Sequence, residues 1–63
     1  MNPYFIILHV GIGVQELHVN VAHIISFGTT PNGNWVGLTE GGTYVTETPE
    51  QITEAIREAI EDR

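Results

Sequence analysis

Only one stretch of this chain has helical periodicity, and it lies at the C-terminal end. Thr48 is a good N-cap, Pro49 suits the first helical position and Gln51 stands three residues after the cap. Ile52, Ala55, Ile56, Ala59 and Ile60 then recur at helical spacing and form one apolar stripe. The spacing predicts a helix over 48–62. Everything before it reads as short extended runs broken by Gly, Pro and Asn. A single helix covers one face of one sheet, so the chain is held to an α+β fold.

The extended runs number five. Phe5–Val10 is continuously apolar, with β-branched and aromatic residues, and reads as a strand buried on both faces. Gln15–Val19 alternates, with Leu17 and Val19 on one face and Glu16 and His18 on the other. Gly11-Ile12-Gly13 is then a tight turn between them. Asn20 breaks the second run, and Ile24–Phe27 is a third strand. Thr30-Pro31-Asn32-Gly33-Asn34 is a strong turn signal, because Asn-Gly supplies the positive φ of hairpin turns. Trp35–Thr39 and Thr43–Glu47 are strands four and five, joined through Gly41-Gly42. The expected architecture is five short antiparallel strands in a strongly bent sheet or small open barrel, with the helix packed on one side.

Sixty-three residues make one domain, 1–63, with a β-rich body over 1–47. A chain this short buries only roughly 60% of the surface its unfolded form exposes, and such domains lean on a staple or a partner. There is no cysteine, hence no disulfide and no thiolate metal site. The opening MNPYFIILHV has neither a basic n-region nor a small-residue cleavage site. Its apolar run is far shorter than the about 20 residues that cross a bilayer. A cytoplasmic protein is the expectation.

Charge excludes several partners. Eight acids face two arginines and no lysine, for a formal net charge of −6. Neutralising a phosphate backbone requires Lys and Arg, and only Arg57 and Arg63 are present, so neither direct nucleic-acid binding nor an anionic membrane is expected. Six of the eight acids lie from Glu47 onward. Glu50, Glu54 and Glu58 form an i, i+4 ladder of like charge on the helix, which is either a solvated face or a docking surface for a basic partner.

The segment NWVGLTEGGTYVTETPEQI raises the choice between a glycine-rich ligand loop and a hairpin running into a helix. With Gly41-Gly42 as a two-residue loop, Thr39 faces Tyr44 and Leu38 faces Val45. Val36, Leu38 and Val45 then share the core face, while Trp35, Gly37, Thr39, Tyr44 and Thr46 share the other. Two large aromatics beside a glycine leave a shallow gap there; such a face is either an interface or, if the sheet curls, a place where both rings cover the barrel rim. A phosphate cradle needs its glycines between a strand and a helix N-terminus. Gly41-Gly42 lies between two strands, and no Walker or dinucleotide pattern is completed.

No catalytic constellation is recognisable. Ser26 is the only serine, Asp62 the only aspartate, and no carboxylate pair is evident. His9, His18 and His23 lack helical metal-ligand spacing. One is expected in a buried strand with a hydrogen-bond partner and two at the sheet edge. The reading is of a non-enzyme with no metal and no cofactor.

ELHVNVAHIISF followed by WVGLTEGGTYVTETPEQITEAI resembles the small FlbD-type flagellar and swarming-motility proteins. Asn20 and Ile24, then Leu38-Thr39, Gly41, Tyr44-Val45 and Glu47, with Ile52 and Ile56 beyond, carry the resemblance over nearly the whole chain. It implies a small, non-enzymatic accessory protein with a β-rich body. The first hairpin here is neutral to acidic, where members of that family are more basic.

Three functional classes follow. The first is a protein-interaction module with a regulatory or accessory role, acting through Trp35, Tyr44, Thr39 and Thr46 and through self-association into a dimer or small ring. Its oligomer argument is that Phe5–Val10 is apolar on both faces and one helix covers only one. The second is a phage-type acidic inhibitor that docks Glu50, Glu54 and Glu58 on a basic host or defence protein. The third is a small-ligand (nucleotide) binder at a subunit interface, with Trp35 or Tyr44 stacking on the base between subunits.

Overall fold

A computed structural model of the protein describes residues 4–11 and 15–61. Five strands and one helix follow in chain order: β1 (Phe5–Val10), β2 (Gln15–Asn20), β3 (Ile24–Thr30), β4 (Gly33–Leu38), β5 (Gly41–Val45) and α1 (Pro49–Glu61). The strands form one open antiparallel sheet in the order β2-β1-β5-β4-β3, an α+β fold. The expected turn at Gly11–Gly13 falls largely outside the described residues, as does Asp62 at the expected end of the helix.

The two edge strands, β2 and β3, are consecutive in the chain. They are joined only by a single 3-10 turn over Val21–His23. In a flat sheet these edges would stand about 19 Å apart, four steps of about 4.8 Å. Four Cα steps from Asn20 to Ile24 reach at most about 14 Å. The sheet therefore curls. Asn20 caps the turn by accepting from the Ala22 amide at 3.0 Å. The turn is tied to both flanks, through Val21 N–H to the Tyr4 carbonyl at 2.8 Å and Thr39 N–H to the His23 carbonyl at 3.0 Å.

The core fills the inside of this curl. Ile6 and Leu8 of β1, Val19 of β2, Val36 of β4, Val45 of β5 and Ile52 of α1 are buried, with Leu17, Ile24, Phe27, Leu38, Ala55, Ile56 and Ala59 packed around them. The helix lies against β1 and β3. Its start is a reciprocal capping box: Thr48 N–H donates to Gln51 Oε1 at 3.0 Å, and Gln51 N–H to Thr48 Oγ1 at 3.2 Å. Phe5 and Ile7 alternate with the buried residues of β1 and are about half exposed. Within one copy the second apolar face of that strand is thus uncovered.

The β4–β5 register differs from the expected one. The pairs are Leu38–Gly41, Gly37–Gly42, Val36–Thr43 and Trp35–Tyr44, so the loop is Thr39-Glu40 and both glycines belong to β5. Gly41 opens the strand at φ +127°, as Gly33 opens β4 at φ +135° after the Pro31-Asn32 loop. Each hairpin thus places its glycine just past the loop. A non-glycine residue is strained at such φ. The partner of Leu38 moves by four residues, an even number, so the division of side chains between the two faces is preserved. In β3 a bulge between Ile24 and Ser26 pushes Ile25 out to 69% exposure.

One polar clamp ties β1 to the junction of β5 and α1. The Glu47 carboxylate accepts from His9 N–H at 2.9 Å and from the His9 ring at Nδ1, 2.6 Å away. A carboxylate only accepts, so Nδ1 carries the proton. Burial acts to raise the Glu47 pKa, but the hydrogen bonds from His9 outweigh it and hold the carboxyl below its ordinary 4.5. A depressed carboxyl contributes stability above its unfolded-state pKa and loses it as pH falls through the folded value. Glu47→Gln is expected to cost about 1 kcal/mol at pH 7, and the gap from wild type should be smaller at pH 3. Denaturant titrations at the two pH values check this; an equal gap at both would contradict it.

Candidate functional site

The face opposite the helix carries the most distinctive chemistry. Val36 and Val45 point inward to Ile52, so their strand neighbours Trp35 and Tyr44 point outward. The two rings are cross-strand partners, edge to face with centroids 4.9 Å apart. Tyr44 is 42% exposed. This pair is the element of the expected site that the structure brings together.

Glycines form the floor beneath the rings. Gly37 and Gly42 face each other across β4 and β5, and the indole lies over them. A Cβ at Gly42 would stand 2.3 Å from Trp35 Cζ2 and 2.6 Å from the Val36 carbonyl oxygen. One at Gly37 would stand 3.6 Å from Trp35 Nε1. The Tyr44 ring rests against Gly33, where a Cβ would be 3.6 Å from Cδ1. The shallow gap expected beside Gly37 is thus occupied by the indole itself. Ser26 and Gly28 of β3 pair with Gly37 and Trp35 and continue the same face. Sequence reasoning did not include them, because the bulge at Ile25 shifts the alternation by one.

The remaining expected residues fall elsewhere. Thr39 is in the β4–β5 loop, not on the aromatic face, and its Oγ1 is 2.9 Å from His23 Nδ1. The cause is the register difference described above. Thr46 is exposed beyond β5, with its amide donating to the His9 carbonyl at 2.8 Å. Glu50, Glu54 and Glu58 are exposed on α1, which packs on the inner face of the sheet. The acidic ladder and the aromatic pair therefore lie on opposite faces of the sheet and do not form one surface. Arg57 binds Glu54, and its guanidinium holds that carboxyl below the ordinary range. Arg57 Nη1 is also 3.6 Å from Glu61.

The three histidines are engaged separately: His9 with Glu47, His18 with Glu16 at 3.3 Å, and His23 with Thr39. Among the described residues no group of three His, Asp or Glu side chains could hold a metal ion. None of the described helices is long and apolar enough to cross a membrane.

The aromatic face depends on Gly42. Gly42→Ala is expected to displace the indole, red-shift and weaken Trp35 fluorescence, and cost about 1–3 kcal/mol through overpacking. Emission and denaturation midpoint identical to wild type would show that the ring does not lie on that glycine.

The chain matches no protein-family model, and no curated protein or solved structure proved significantly similar to it.

Proposed function

We propose that this protein is a small, non-enzymatic interaction module with a regulatory or accessory role, and that its partner protein docks on the Trp35/Tyr44 face. The supporting observation is the edge-to-face aromatic pair set on a glycine floor, with Tyr44 42% exposed. Trp and Tyr are the side chains that most often dominate binding energy when a partner desolvates them. The glycines hold the indole flat, so its ordering entropy is spent before the partner arrives. The likeness of this hairpin to FlbD-type proteins points to the same class of accessory role, and a cytoplasmic setting suits a cysteine-free chain.

A second reading has its own observation. Glu50, Glu54, Glu58 and Glu61 stand exposed on one helix, opposed there by Arg57 alone. Such a helix suits an inhibitor that occupies a basic channel on another protein, with affinity that falls steeply as salt rises.

The two readings separate by substitution. With the partner recovered by affinity capture, Trp35→Ala should weaken binding about thirtyfold, roughly 2 kcal/mol. Replacing Glu50, Glu54 and Glu58 by Gln should change it less than about threefold, as for exposed charges at an interface rim. The reverse pattern, measured by calorimetry at two salt concentrations, would replace the aromatic-face module with the charge-based inhibitor.

A further inference from the structure

The outer edge of β2 has no strand beside it among the described residues. Its backbone polarity follows from one bond. Val21 N–H donates to the Tyr4 carbonyl, in the same register that pairs Phe5 with Asn20. Antiparallel ladders alternate, so Val19, Leu17 and Gln15 also turn their N–H and C=O groups toward β1. Glu16, His18 and Asn20 turn theirs outward. Proteins blunt such edges with bulges, prolines or lysines. The edge at β3 carries a bulge at Ile25, whereas β2 pairs with β1 in unbroken register over six residues that include neither Pro nor Lys.

We propose that two copies of this chain pair through β2, antiparallel about a two-fold axis at Leu17, to make one continuous ten-stranded sheet. The segment Gln15-Glu16-Leu17-His18-Val19 is self-complementary in that register. Glu16 faces His18 of the second copy, and His18 faces its Glu16. The outward amides and carbonyls of Glu16 and His18 then form about four backbone hydrogen bonds across the axis. The two side chains already meet along one strand at 3.3 Å, with 58% and 62% of their surface exposed. Directly paired residues have Cα atoms about 5.5 Å apart, closer than the roughly 6.7 Å between i and i+2 on one strand. The second copy therefore offers each side chain a nearer partner than its own strand does.

The inner face fits as well. Leu17 is half-buried beside a groove of about 410 Å³, whose walls include His18, Val19, Leu38 and Thr39. The second Leu17 meets the first at a non-hydrogen-bonded position, where side chains approach closest, and fills part of that groove. A pairing centred on His18 would set His18 against itself and Glu16 against Asn20, losing both charge-assisted contacts. The proposal goes beyond the functional reading above and leaves the Trp35/Tyr44 face free for a different protein.

The test uses the absence of cysteine from the chain. Leu17→Cys and, as control on the other edge, Ser26→Cys are oxidised mildly at tens of micromolar. Leu17→Cys should yield a covalent dimer and Ser26→Cys should not. In sedimentation equilibrium, His18→Glu alone should weaken the dimer at least tenfold by setting carboxylates opposite each other. Combining it with Glu16→His should restore the wild-type value, which a mere folding defect would not do. No covalent dimer from Leu17→Cys, equal cross-linking through Ser26→Cys, or a wild type monomeric at all concentrations would overturn the edge pairing. A wild-type dimer dissolved by Trp35→Ala, without cross-linking at Leu17→Cys, would overturn it while leaving the aromatic-face reading intact.

Discussion

The architecture depends on a three-residue tether. Val21–His23 joins the two outermost strands of a five-stranded sheet, and no flat sheet can accommodate so short a link. The curl that results gives the molecule an inside and an outside. The inside takes branched aliphatic residues from every strand and closes over Ile52, Ala55, Ile56 and Ala59 of α1. For a chain that buries so little surface, wrapping the sheet around its own core recovers apolar contact that a flat sheet would leave to solvent.

The outside is where the same curl exposes chemistry. On a convex sheet neighbouring side chains splay apart, and a large ring needs a smooth floor to lie on. Gly37, Gly42 and Gly33 supply that floor to Trp35 and Tyr44. The free edge of β2 is a second consequence. The tether draws the ends of β2 and β3 together without pairing them, so a groove lined by Leu17 and Leu38 lies alongside an edge with no strand beside it among the described residues. Edge and aromatic face are separate surfaces.

Much of this was legible in the residues, because it depends on local rules. The period of two assigned Val36 and Val45 to the core and Trp35 and Tyr44 to the outer face, and Thr48 with Gln51 marked the helix start. Cross-strand neighbours were not legible. Gly41 and Gly42 look like a loop because they are adjacent glycines, yet one serves a positive φ and the other makes room for an indole. Sequence pattern does not separate those two uses. Thr39 was placed on the wrong surface for that reason. The His9–Glu47 clamp, 38 residues apart in the chain, the bulge at Ile25 and the strand order were not legible either. They depend on how distant segments meet, which periodicity does not encode.

The tether curls the sheet, and its anchors are the amides of Val21 and Thr39. Residue-resolved hydrogen exchange by NMR reads both directly. Because Val21 bonds to Tyr4 and Thr39 to His23 on either flank of the turn, both amides should exchange as slowly as those inside the β1–β2 ladder. If both exchanged at the rate of unstructured backbone while that ladder stayed protected, the ends of both ladders would be frayed, the free tether would be longer than three residues, and the constraint that curls the sheet would be contradicted.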